Sequence, residues 1–365
     1  MGRILYGVMG DAGGHVMEAL SLATQMPQHE FLFLGGGKVQ NLRESGYCVE
    51  PLPMLSTFYR NNKVDIIATA SNAVRTILTS RQIRQRVKDT IKAYDPDLIL
   101  TNYEYFTPIA ALSINRSCVS LDHQHILTHC KYDPPSRERL NRLMTRSSVR
   151  YLYSNCSKFL IVSFFNLPPV NPETTAVLAP IVRSAVKKTI PRDGEHVLVY
   201  QTSPTFHKLF PVLKEIDTPF LIYGFGAKPP DKNLFFRAYS TDGFVEDLAS
   251  SRHVIVNGGH NVICEALHLG KPVLSFPIAD AYEQFLNAYF VAQYGFGQFS
   301  TSLNFSKDLF EAFESRINEF KSNITNRHNA GNDGLVALLE QMVTCGESRT
   351  DGRSSLSRYK YLLRQ

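Results

Sequence analysis

The sequence predicts an α/β fold of two doubly wound domains, and three observations predict it. The chain opens with strand, glycine turn, helix and strand: Arg3–Val8, then the turn Met9 to His15, then Val16–Met26, then Glu30–Leu34. The same order returns later, at Val254–Val256, Asn257–Asn261, Cys264–Leu269 and Val273–Phe276. At 365 residues, 44% hydrophobic and 20% charged, the chain has material for about two ordinary globular cores. Strands alternating with helices place a mainly parallel sheet in each domain.

The net charge of +6 suits anionic substrates or an anionic surface. It is too weak to indicate nucleic acid. Cys48, Cys118, Cys130, Cys156, Cys264 and Cys345 include no C-x-x-C pair, and most lie in apolar runs. They read as free thiols of a reducing compartment. The first apolar run is too short for a signal peptide, and no run of about 18 apolar residues offers a membrane span. The expectation is a cytoplasmic protein, with a peripheral contact on the inner face of the membrane left open.

In the first half, Gly7, Gly10, Gly13 and Gly14 do not match G-x-G-x-x-G, and no acidic residue closes the second strand. This argues against a dinucleotide. His15 falls at a helix start on the carboxyl edge of the sheet, where open α/β folds bind ligands. An imidazole there suits removal of a hydroxyl proton, and equally suits capping the turn. Residues 54–94 mix Ile66, Ile67, Val74, Ile77, Leu78, Ile83 and Val87 with Arg75, Arg81, Arg84, Arg86 and Lys88. That pattern fits a helix packed on the sheet with its basic face in water, or one lying on an anionic membrane. Asp95-Pro96-Asp97 enters a strand at its amino edge, so it reads as a turn and not a metal site. At the strand's other end Glu104 is a second candidate base. The strand Ser117–Leu121 leads to Asp122, His123, Gln124 and His125, read as acceptor contacts. With His129 and Cys130 they raise zinc, but the spacing fits no standard structural site. Arg137–Arg150 is a second basic amphipathic segment, with a solvated basic face. Pro168, Pro169, Pro172 and Pro180 mark an extended stretch, and the domain boundary is set near Arg183.

In the second half, the strand His196–Tyr200 precedes the polar turn Gln201–Thr205. Ser203 and Thr205 read as phosphate contacts or as helix caps. After Val254–Val256, the glycines Gly258 and Gly259 let backbone N–H groups of Asn257, His260 and Asn261 approach an anion, and the helix start favours its charge. Glu265, one turn further in, can accept two hydrogen bonds from vicinal hydroxyls, as on a ribose. Gln284 and Asn287 share a helix face and present amides to sugar hydroxyls, with Asp280 in the loop before them. A glycine pair alone is also an ordinary βαβ turn. The ordered set of turn, Glu265, Gly270-Lys271-Pro272, Asp280, Gln284 and Asn287 is what carries the reading.

That set resembles the donor half of GT-B glycosyltransferases. It looks most like the family of the N-acetylglucosaminyltransferase that makes the lipid-linked peptidoglycan precursor, with its family 28-like C-terminal domain. It is also similar to UDP-glucuronosyl-type and plant UDP-sugar transferases. Gly10 to His15, GDAGGH, likewise resembles the GGxGGH turn of these enzymes, and the resemblance has Gly13 and Gly14 admit an acceptor. It implies two Rossmann-like domains facing across a cleft: residues 1–182 for the acceptor, 183–345 for the nucleotide sugar, then a basic tail, 346–365. It implies an inverting, metal-independent transferase without cofactor, taking a nucleotide sugar, UDP-linked, and a hydroxyl acceptor, lipid-linked or of the cell envelope. It gives Glu265 the ribose, Asp280, Gln284 and Asn287 the sugar, and Phe244 and Val245 the base. Asn257 departs from the plant motif, which begins with His. A sugar-nucleotide 2-epimerase and a non-catalytic nucleotide-sugar-binding protein are the alternatives.

Overall fold

The computed structural model describes residues 1–11, 13–133, 135, 137–301, 305–327, 333–350, 355–359 and 362–363. In chain order the strands are β1 Arg3–Val8, β2 Glu30–Gly35, β3 Cys48–Pro51, β4 Tyr59–Arg60, β5 Lys63–Val64, β6 Leu98–Asn102, β7 Val119–Asp122, β8 Lys158–Val162 and β9 Thr175–Leu178. The later ones are β10 Val197–Tyr200, β11 Phe220–Tyr223, β12 Leu234–Phe236, β13 Val254–Val256, β14 Val273–Ser275 and β15 Gly297–Phe299. They form two compact units. The first comprises Met1–Phe58, Ile66–Ile181 and Gly331–Gln365, and the second Tyr59–Asp65 and Val182–Ala330.

The first unit's sheet runs β3-β2-β1-β6-β7-β8-β9, every pair parallel. The second unit's runs β12-β11-β10-β13-β14-β15, also parallel throughout. Near-continuous apolar strands such as Ile4-Leu5-Tyr6 and Val254-Ile255-Val256 are buried because helices cover both sheet faces. In each sheet the strand order reverses once. The switch point lies between β1 and β6 in the first unit and between β10 and β13 in the second. Crevices at such points, outside the carboxyl ends of the strands, are where folds of this kind bind ligands.

The linear division of the chain needs two corrections. The helix Asp333–Thr344 belongs to the first unit, not the second. Leu335, Leu338, Leu339 and Met342 are buried in one cluster with Ile4, Tyr6, Phe31 and Phe33. Part of the basic tail also belongs to this core, through Leu356 and Tyr359. Glu347 pairs with the fully buried Lys158 and accepts the Tyr359 hydroxyl at 2.9 Å. The second correction is at Tyr59–Asp65, which belongs to the second unit. There β4 and β5 form an antiparallel hairpin whose two-residue loop, Asn61-Asn62, has φ of 51° and 55°. Asparagine tolerates this left-handed backbone, which a tight hairpin turn requires.

Candidate functional site

In the first unit the switch point is bridged by side chains. Gly10 ends the run from β1, and a Cβ there would meet the Gly36 carbonyl oxygen at 1.9 Å, so the turn admits only glycine. The helix Gly13–Gln25 then begins, and a Cβ on Gly13 would have only Lys38 Nζ near it, at 3.9 Å. Gly13, Gly14 and His15 are half-buried at this start. His15 Nδ1 lies 2.7 Å from Asn102 Oδ1, at the end of β6. The Asn102 amide nitrogen donates to Glu18 Oε2 at 2.9 Å. A carboxylate only accepts, so the amide oxygen faces His15 and Nδ1 carries the ring proton. Nε2 is left as a lone-pair acceptor, and no described residue pairs with it. The ring stacks on Tyr103 at 6.2 Å, and Tyr103 on Tyr153 at 3.9 Å, which fixes its plane.

Other residues of this half, expected to touch substrate, are turned inward. Glu104 accepts the N–H groups of Phe106 and Thr107 at 2.8 and 2.7 Å, so both carboxylate oxygens cap the helix Phe106–Leu112. Burial pushes its carboxyl up. It is a cap and not a second base. Asp122, His123 and His125 are buried at 1%, 2% and 0% exposure, which closes them to an acceptor. The strand ends at Asp122, and the turn folds His125 back so that Nδ1 meets Asp122 Oδ2 at 2.8 Å. His123 bonds the Val162 carbonyl at 2.9 Å. Burial alone would raise Asp122, but His125 and the hydrogen bonds from His125 and Ser120 hold it down at about 2.

In the second unit the switch point is bridged by amides. Asn257 Oδ1 accepts the Thr202 N–H at 2.7 Å, and its Nδ2 donates to Gln201 Oε1 at 2.6 Å and to Asn62 Oδ1 at 3.2 Å. Asn257 therefore ties the turn after β10 to the turn after β13. Its backbone, not its side chain, is what remains for a ligand. Gly258 has φ of 99°, and a Cβ on it would meet the Gln284 carbonyl oxygen at 2.7 Å. Gly259 follows, and the helix His260–His268 starts with no side-chain cap. Its first N–H groups lack intrahelical partners, as at every helix start. Here they stand at the carboxyl end of a central strand, so the backbone and dipole suit an anion.

Several expected donor contacts serve this turn. Asn287 is fully buried and its amide donates to the Gly258 carbonyl at 3.1 Å. Gln284 accepts the Ile278 N–H at 3.1 Å. His260 lies 3.3 Å from Cys264 Sγ and 3.2 Å from Asn261 Oδ1. Thr205 Oγ1 accepts the Asn62 N–H at 2.8 Å and lies 3.4 Å from Ser203 Oγ. Asp280, at φ of 66°, pairs with Lys63 at 3.2 Å. Glu265 is held by Arg183 through two guanidinium nitrogens, and Arg183 also reaches the Tyr239 hydroxyl at 3.2 Å. Phe244 and Val245 are buried. The Phe244 ring lies within 5.7 Å of those of Tyr200, Tyr223 and Tyr239, under the Arg183 guanidinium at 5.6 Å. Phe244 is thus part of an aromatic wall and not a bare stacking platform.

The sequence places Asn102 at the cleft end of its strand but does not show Asn62, the bonding of Asn102 to His15 and Glu18, or the pairing of Arg183. Asn61-Asn62 is a weak turn signal, since asparagine tolerates a positive φ, but the two-residue strands on either side carry no pattern to confirm it. The pairings of Asn102 and Arg183 have no local signal, since their partners lie 87 and 82 positions away.

The profile of the family described as Glycosyl transferase family 1 matches residues 2–318. An uncharacterized glycosyltransferase of Methanosarcina mazei is 23% identical over 331 residues, covering 81% of this chain and 85% of that one. Among solved structures, Phytolacca americana UGT2, complexed with UDP-2fluoro-glucose and pterostilbene, is similar at a TM-score of 0.65 and 12% identity, over 94% of this chain and 98% of that one. MurG of Acinetobacter baumannii is similar at 0.59 and 14%, over 93% and 100%.

Proposed function

Because the chain belongs to glycosyl transferase family 1, and is a glycosyltransferase of the GT-B type, we propose that it moves a sugar from a UDP-linked donor to a hydroxyl acceptor with inversion. The observation that carries this is His15, whose Nδ1 proton is held by Asn102 while Nε2 stands ready to accept. The acceptor hydroxyl gives its proton to Nε2 as its oxygen attacks the anomeric carbon. The bond from that carbon to the donor phosphate oxygen breaks on the opposite face, and the diphosphate leaves with the electron pair. The uncapped start of the helix His260–His268, beside Gly258 and Gly259, takes up the charge that develops there. This chemistry calls for no metal or cofactor. Glu265, held by Arg183, receives the ribose hydroxyls, and Asp280 with Gln284 borders the sugar.

Within the family we place the donor half near the peptidoglycan-precursor type, on the strength of Glu265, Gln284 and Asn287 in their order. No helix among the described residues is long and apolar enough to cross a membrane. The helices Ile66–Leu78 and Arg139–Ser148 nonetheless leave Ile67, Leu78, Leu140 and Leu143 at 84%, 78%, 69% and 64% exposure beside several arginines. This supports a peripheral contact with an anionic bilayer, where a lipid-linked acceptor would be met. Co-sedimentation with phosphatidylglycerol vesicles but not phosphatidylcholine vesicles is the expected result.

The enzymatic reading is tested by titrating the protein with UDP and assaying UDP release from UDP-sugars over a panel of hydroxyl acceptors. His15→Ala should lower turnover by roughly 10²–10⁴-fold and leave UDP affinity unchanged. Formation of a free epimer from UDP-N-acetylglucosamine without acceptor would replace the transferase reading by the epimerase. UDP affinity untouched by Glu265→Ala would remove the ribose assignment.

A further inference from the structure

The hairpin Tyr59–Val64 brings one side chain into the switch point of the second unit. Asn62 is fully buried, and so is Gln201. Their amide oxygens both face Asn257 Nδ2, whose role as donor is set by the Thr202 N–H on its own oxygen. The orientation of all three amides follows from that one backbone bond. The other arms, Asn62 Nδ2 and Gln201 Nε2, are buried with no hydrogen-bond partner, and so is the Ser275 hydroxyl at the end of β14. Buried amide donors are almost always matched in a native protein, so a cluster of unmatched ones asks for an acceptor.

We propose that the side-chain amides of Asn62 and Gln201 form a paired oxygen-binding site for the donor diphosphate, with Asn62 delivered by the hairpin. The assignment rests on the donor reading above. Three features point to a phosphate and not to the base or the sugar. The amides sit at the junction of the turns after β10 and β13, beside the uncapped helix start. Each amide has already given its acceptor oxygen to Asn257, so only donors remain, and these suit a ligand group that only accepts. The hairpin is fastened to the same place, by Asn62 N–H to Thr205 Oγ1 at 2.8 Å, by Ala279 N–H to the Asn62 carbonyl at 2.9 Å, and by Lys63 to Asp280 at 3.2 Å. Since the amides are shut off from solvent, the anion enters with the hairpin displaced, and the hairpin closes over it.

The test is calorimetric titration of the full chain with UDP, inorganic pyrophosphate and uridine. Asn62→Asp and Gln201→Glu keep the oxygen that faces Asn257 and exchange the donor arm for an acceptor. Each should weaken UDP and pyrophosphate at least tenfold, leave uridine unchanged, and leave the circular-dichroism melt within a few degrees. Unchanged UDP and pyrophosphate affinity in both variants overturns the assignment. So does an equal loss of uridine binding, because the amides would then serve only the fold of the turns. Wild-type protein that binds pyrophosphate but not UDP, with the variants losing pyrophosphate, upholds the oxygen site and sinks the nucleotide reading. Wild-type protein that binds neither overturns both.

Discussion

At the scale of single residues, two partners decide what a titratable side chain can do. Glu18 turns the Asn102 amide, and Asn102 sets the tautomer of His15. Asn102→Leu removes that acceptor without touching the imidazole. Turnover should fall on the order of 10²-fold while UDP affinity, measured separately, holds. His129 gives a stability prediction. Burial, and then the neighbouring His125, hold it down at about 4, so the folded protein keeps it neutral where an unfolded chain would protonate it from about 6.5. Its folded pKa is depressed, so the unfolded state binds the extra proton and stability falls as pH drops from about 6.5 toward 4. The melting temperature should decline over that window, and His129→Phe should flatten the decline. Single residue types were a weaker guide here. Glu104 and Asp122 have the chemistry of site residues, yet helix N–H groups occupy one and His125 the other. Nothing in a linear sequence tells a carboxylate that caps from one that reacts.

At the scale of elements, the strand, glycine turn and helix at 254–268 are governed by backbone geometry. Gly258→Ala must place a Cβ at φ of 99° and 2.7 Å from a carbonyl oxygen. The strain is about 1–3 kcal/mol, before the clash is relieved by moving the turn. The expected result is a lowered melting temperature together with lost UDP binding; Gly259→Ala, whose Cβ would make only ordinary contacts with Thr202 Oγ1 at 3.6 Å and Val262 Cγ1 at 4.0 Å, should be mild in the melt. This unit was legible in advance because its signals are local: apolar β-branched residues, two glycines, a helical period and Gly270-Lys271-Pro272. The hairpin Tyr59–Val64 falls inside a stretch whose residues suggest a helix, because two-residue strands carry almost no periodicity. Only its attachment to Ala279 and Asp280 makes it an element of the second unit.

At the scale of the whole molecule, the chain passes between its two units more than once. Neither unit is therefore a continuous piece of sequence. Leu335, Leu338, Leu339 and Met342 are nearly or fully buried in the first unit. Each contributes about 1.5–3 kcal/mol, so together they match the roughly 5–15 kcal/mol by which a domain is stable. A fragment ending at residue 182 should lack a cooperative melt, and adding residues 331–365 in trans or by fusion should restore it. Within the tail, Glu347→Ala removes the carboxylate that faces the buried Lys158 ammonium, at a cost of about 3–5 kcal/mol, read by urea denaturation.

Two doubly wound halves, glycine turns between strand and helix, and an imidazole at the first helix start are legible in the chain alone. These rest on contacts between near neighbours, which leave a period or a spacing in the chain. Which carboxylates and histidines are spent inside, that Arg183 holds Glu265, that a hairpin from the first sixty-five residues seats Asn62 against Gln201 and Asn257, and that the helix Asp333–Thr344 completes the first core emerge only from the folded chain. Those pairings join residues tens to hundreds of positions apart, and a long-range contact writes no pattern into either of the segments it connects.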